Sequence, residues 1–153
     1  MKTAFILLTF LAGLGTLKAD DDLAIVVNKT NPVTNLTKAQ LKKIILGEQS
    51  QWSNGKKVSV ALRSPGQAER AAVLKELCGM SEEELNQYLA HANFTGDMSA
   101  PKALATATAV KSMVLAIPGG IGFVRASEAG DTVKVISLDG VMPGTDGYIL
   151  RVK

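Results

Sequence analysis

A single cysteine, Cys78, occurs in the 153 residues, so no disulfide can form within the chain. A single histidine, His91, excludes a metal site built from several imidazoles. Neither sign of charge dominates. The chain holds 17 Lys+Arg against 14 Asp+Glu, and 15 against 14 once residues 1–19 are set aside, a net charge of +1. That balance offers no electrostatic basis for wrapping nucleic acid. No internal repeat, linker or low-complexity stretch interrupts the sequence. The hydrophobic share of 46% and charged share of 20% are those of an ordinary globular chain of one domain.

The apolar stretch from Ala4 to Leu17 is 14 residues long, short of the roughly 20 needed to span a bilayer. Lys2 precedes it, Leu17-Lys18-Ala19 ends in a small residue, and Asp20-Asp21-Asp22 ends the hydrophobicity at once. Residues 1–19 therefore read as a secretory signal peptide. No cysteine stands at the junction to carry a lipid, so no stable membrane anchor is expected after cleavage. The remaining 134 residues suffice for one well-filled core. Asn-x-Thr triplets at Asn28, Asn35 and Asn93 read as chance, since Asn28 ends an apolar run where a glycan would be awkward.

Behind the leader, strand and helix patterns alternate. Leu23–Val27 is a β-branched apolar run that predicts a strand buried on both faces. Thr37 and Gln40 predict a capping box, and Leu36 with Leu41 a hydrophobic staple, for a helix closed by Gly47. Val58–Leu62 predicts the next strand. A second helix is expected to start at once, with Ser64 as N-cap, Pro65 in its first turn and Gln67 completing a capping box. Ala71, Leu74 and Cys78 would line its buried face, and Gly79 would end it. Ser81 and Glu84 repeat the capping box, and Met80 with Leu85 the staple, for a third helix. Pro101 to Ala116 reads as a weaker helical stretch, helical only from about Ala107, closed by Pro118-Gly119-Gly120. Strands are expected at Ile121–Val124 and Val133–Leu138, with Tyr148–Val152 at an edge. The sum is one α/β domain. Its core should hold Ile25, Val27, Leu41, Ile44, Leu74, Leu77, Ile121 and Phe123.

Few residues invite catalysis. His91 falls late in the third helix, Cys78 falls on an apolar helix face, and no G-x-S-x-G nucleophile turn occurs. Glu82-Glu83-Glu84 complement a helix start and read as a solvated face. Trp52, beside Ser53-Asn54-Gly55, reads as a side chain packing its loop onto the core. The segment Arg63-Ser64-Pro65-Gly66-Gln67-Ala68-Glu69-Arg70 differs. It joins the carboxyl end of a strand to the start of a helix, where open α/β sheets bind ligands. Gly66 admits close approach to the backbone, and Arg63 offers a charge-assisted contact to an oxyanion. Two readings stay open from the residues alone: a small-anion cradle, or a plainly capped helix with two surface arginines.

The chain resembles the periplasmic substrate-binding proteins of phosphate ABC transporters, specifically their short single-domain relatives. The resemblance rests on Ile25-Val26-Val27-Asn28, Asn31-Pro32-Val33, the helix Leu36 to Gly47 and Trp52-Ser53-Asn54-Gly55. It continues through Arg63 to Arg70, Leu77-Cys78-Gly79-Met80-Ser81 and Pro118-Gly119-Gly120-Ile121-Gly122-Phe123-Val124. It implies a single lobe of a periplasmic-binding-protein type II-like fold, a mixed sheet flanked by helices, over residues 20–153. It also implies a non-enzymatic role: binding a small oxyanion, phosphate foremost, without a cofactor. The partner would be an ABC transporter permease or a sensor protein, in a periplasmic or secreted setting. The site residues it points to are Arg63, Ser64, Gly66, Gln67, Ala68 and Arg70. Gln67 stands where the family usually has serine, and Glu69 where it usually has threonine. A lobe kept as an interaction or sensor module, without ligand, is the alternative.

The exported protein should begin at Asp20. Intact-mass measurement of material from outside the inner membrane checks this, and residues 1–19 found still attached would refute it.

Overall fold

A computed structural model of the chain describes residues 22–92 and 100–153. The expected leader, residues 1–19, and Asn93 lie outside the described residues. Among the described residues, six strands form one mixed sheet in the order β2-β6-β1-β5-β3-β4. They are β1 (Leu23–Val27), β2 (Asn35–Leu36), β3 (Ser59–Arg63), β4 (Lys102–Leu104), β5 (Gly120–Arg125) and β6 (Lys134–Leu138). The helices are α1 (Lys38–Ile45), α2 (Ala68–Val73), α3 (Glu82–His91) and α4 (Ala107–Ala116). β1 runs antiparallel to β5 and β6, whereas β3 runs parallel to both β5 and β4.

β1 is buried along its whole length, and strand alternation divides its side chains between two cores. Leu23, Ile25 and Val27 join α1 and the α2 region, with Leu41, Ile44, Leu77 and Phe123, in the larger core. Ala24 and Val26 meet α4 through Val110 and Val114. All eight expected core residues are buried, each at most 1% exposed. Trp52 is buried as expected, its indole N–H donating to the Gly119 carbonyl at 2.9 Å. Asn28 is buried too. Its amide donates to the carbonyls of Val114, Leu115 and Ile117 and so caps the end of α4, a role incompatible with a glycan.

The glycines near β5 answer to close packing. A Cβ on Gly122 would lie 2.5 Å from Val110 Cγ1, and one on Gly119 would lie 1.7 Å from the Lys57 carbonyl oxygen. Helix α4 and the Lys57 loop can therefore approach β5 only where it has no side chain.

Local signals held at three helix starts. Thr37 and Gln40 form the full capping box of α1. Thr106 caps α4, which begins at Ala107 as expected. Ser81 caps α3 by accepting the Glu84 amide, but the Glu84 carboxylate takes the Ser81 hydroxyl and not its amide, so only half of that box forms.

The expectation for α2 needs correction. Ser64 is not its N-cap and Pro65 is not in its first turn. Ser64 to Gln67 form a tight turn in which the Gln67 amide donates to the Ser64 carbonyl, and Gly66 takes φ +88°. That conformation cannot belong to a right-handed helix, so α2 waits until Ala68, with Gln67 at the N-cap. Ala71 is exposed and not in the core. After Val73 the helix widens into a π turn, Leu74–Cys78, which buries Leu74, Leu77 and Cys78 before Gly79 ends it at φ +63°. The expected edge strand at Tyr148–Val152 is also absent. The segment crosses the end of β1 with one bridge, Asp22 to Arg151, and is held by burial of Tyr148 and Leu150. The short strands β2 and β4 carry too few residues to show a period in the sequence.

Gly122→Ala should destabilise the fold by about 1–3 kcal/mol through overpacking against Val110. Pairing it with Val110→Ala should recover part of that loss, as a double-mutant cycle in urea melts would show.

Candidate functional site

Strands β3 and β5 are parallel neighbours, so their carboxyl ends finish at the same edge of the sheet. Each ends in an arginine, Arg63 and Arg125. Between them lies the carboxylate of Glu69, from the first turn of α2. Its Oε1 accepts a hydrogen bond from Arg125 Nε at 2.9 Å and stands 3.7 Å from a terminal nitrogen of Arg63. The Glu69 side chain is 9% exposed, that of Arg63 11% and that of Arg125 31%. One carboxylate oxygen thus sits between two guanidinium groups at the mouth of the sheet.

Arg63 has capacity left. One terminal nitrogen donates to Gln67 Oε1 at 3.2 Å and to the Ala105 carbonyl at 3.0 Å. Its Nε is buried and has no hydrogen-bond partner among the described residues. A guanidinium carries five N–H donors in a planar fork suited to oxyanions.

Arg70 faces elsewhere. Its Nε and one terminal nitrogen grip both oxygens of Glu82, at 2.8 and 2.7 Å, and its other terminal nitrogen donates to the Arg63 carbonyl. It ties the start of α3 to the end of β3 and holds the Arg63 backbone in place. Ser64 donates its amide to the Leu104 carbonyl, which extends the pairing of β3 with β4. Gly66, Gln67 and Ala68 are exposed at the opening of α2, and a Cβ on Gly66 would meet nothing within 4 Å. A groove of about 670 Å³ runs from this turn past Ala71 to Met80.

Arg125 went unconnected to this site from the sequence. Its only signal was a basic residue directly after an apolar strand. That becomes meaningful once β5 is known to lie beside β3.

Burial would raise the Glu69 pKa, yet it falls below its ordinary 4.5. Hydrogen bonds from its own amide and from Arg125, with the charges of Arg63 and Arg125, outweigh the desolvation. Cys78, in the larger core, is pushed up to about 11 by burial and so stays a neutral thiol at physiological pH. His91 is exposed on the last turn of α3. Among the described residues no cluster of His, Cys, Asp and Glu could hold a metal ion, and no helix is long and apolar enough to cross a membrane.

A family model described as a PBP superfamily domain matches residues 16–148. Among solved structures, the chain is similar to an ABC-type phosphate transport receptor from Vibrio cholerae. The two share 27% identity and a TM-score of 0.66 over 80% of this chain and 48% of that one. A phosphate ABC transporter substrate-binding protein from Clostridium perfringens, solved with bound phosphate, matches at 27% identity and TM-score 0.66, over 80% of this chain and 47% of that one. PstS from Borrelia burgdorferi shares the fold at 17% identity and TM-score 0.67, over 87% of this chain and 55% of that one. The chain spans about half the length of these relatives.

The Glu69 pairing makes stability depend on pH with a definite sign. Because folding lowers its pKa, the stabilisation is complete above its unfolded value of 4.5 and is lost as pH falls through the lower folded value. Glu69→Gln should cost roughly 1.5–3 kcal/mol at pH 7, the range for a hydrogen bond to a charged group. Urea melts should show the gap between wild type and variant narrowing steadily below about pH 4.5.

Proposed function

The chain belongs to the PBP superfamily, and from that premise we propose that it binds a small oxyanion, phosphate foremost, through Arg63 and the turn leading into α2. The observation that carries this reading is Arg63 itself. It is a mostly buried guanidinium at the carboxyl end of a strand, held in place from behind by Arg70, with a buried Nε still unpartnered. Burying a cation costs free energy unless charge or hydrogen bonds compensate it, so an anion is the ligand such a group suits. Ser64 adds a hydroxyl next to the arginine, and Gly66, Gln67 and Ala68 frame an approach open to solvent. Arg70 serves by positioning Arg63.

Phosphate is favoured because the similar structures are described as phosphate receptors and a largely buried guanidinium suits an oxyanion. Residues 1–19 would direct export and residues 20–153 would form the lobe. The protein would then work in the periplasm or outside the cell and pass its ligand to an ABC transporter permease or a sensor protein.

Titration with inorganic phosphate, followed by NMR at constant ionic strength, should shift the Arg63 side-chain signals saturably. Arg63→Ala should weaken binding about ten- to a hundredfold, as loss of a charge-assisted hydrogen bond of roughly 1.5–3 kcal/mol implies. No saturable change at tens of millimolar phosphate would overturn the proposal.

A further inference from the structure

Glu69 stands where a free anion would be expected. Two guanidinium groups from neighbouring strands converge at the sheet edge, and the group between them is the chain's own carboxylate. The fit is incomplete. Oε1 bonds Arg125 at 2.9 Å but is 3.7 Å from Arg63, beyond hydrogen-bonding distance, and Arg63 Nε is left without a partner. One carboxylate oxygen is shared between two cations, each able to engage an oxygen of its own. A compact oxyanion with three or four oxygens could take the place of Oε1 at Arg125 and reach Arg63 with another oxygen.

We infer that Glu69 is a tethered occupant of the anion seat, that Arg125 is the second cation of that seat, and that a ligand enters by displacing the Glu69 carboxylate. This rests on the oxyanion reading above. It goes further by assigning Arg125 to ligand binding and by giving Glu69 a specificity role. Glu69 sets a threshold, because a monovalent anion with a single contact gains nothing over the group already present. The apparent dissociation constant is the intrinsic one divided by the fraction of molecules in which the seat stands open. A carboxylate held by a charge-assisted hydrogen bond keeps that fraction at roughly one part in ten to one in a hundred.

Glu69→Gln keeps the shape of the side chain but removes the competing charge. Glu69→Thr removes the reach as well, and serves if the first variant folds poorly. Either should bind inorganic phosphate about ten- to a hundredfold more tightly than wild type by NMR titration or calorimetry. Each variant should also melt at a lower temperature than wild type without phosphate and recover more on its addition, sulfate at matched ionic strength being compared alongside. In the unsubstituted chain the Arg125 Nε–H signal should move together with the Arg63 signals as phosphate is added. Equal affinity in wild type and variants, with Arg63→Ala weakening all of them, would overturn the tethered-occupant inference and leave the oxyanion reading intact. So would an Arg125 signal that stays fixed while those of Arg63 move. No binding to wild type or to either Glu69 variant would overturn both. Binding by the variants alone would overturn displacement of Glu69 by the ligand, and with it oxyanion binding by the native chain.

Discussion

Two arginines far apart in the sequence end side by side because β3 and β5 are parallel neighbours. Everything at the candidate site depends on that pairing. It requires β5 to sit between β1 and β3, with α4 pressed onto it closely enough that Gly122 has no room for a side chain. The backbone of β5 is therefore fixed from three directions, and Arg125 leaves it at a defined point. Arg70 performs the equivalent service for Arg63, clamping the carbonyl of the strand end while gripping Glu82 at the start of α3.

The site inverts an ordinary expectation about buried charge. Removing guanidinium groups from water is costly, and such groups are normally paired where they are buried. Here the pairing is supplied from within by Glu69, and supplied partially, since Arg63 keeps an unpartnered nitrogen. In this arrangement, Arg63 retains hydrogen-bonding capacity that the internal carboxylate does not use. The alternative of a plainly capped helix with two surface arginines does not describe it. Ser64 caps nothing at α2, and the side chains of Arg63 and Arg70 are largely buried, at 11% and 7% exposure, and held in ion pairs.

Much of the fold was legible because it is written in short-range signals. β1 shows as an apolar β-branched run, α1 and α3 as capping residues followed by an apolar stripe, and Gly79 as a helix stop; each reflects contacts within a few residues. The failures were local signals overruled. Pro65 after Ser64 favours a helix start, but Gly66 at φ +88° makes a turn and delays α2 by three residues. Ala71 fits a helical stripe counted at 3.6 residues per turn, but α2 widens into a π turn just beyond it, and the buried face lies elsewhere. Tyr148–Val152 has strand composition, but only one of its residues bridges to the sheet.

The sequence by itself determined the class of the domain, its core and the arginine-bearing segment at a strand-to-helix junction, because periodicity, capping and turn chemistry act over a few residues. Only the tertiary structure decided the chemistry of that junction. Arg63, Glu69 and Arg125 come from three elements, and Arg125 lies 56 residues beyond Glu69 in the chain. No spacing or composition encodes that a carboxylate will lie between two such guanidinium groups. It follows from strand order, and strand order is set by how large apolar faces on one side of β1 and small ones on the other can be buried together.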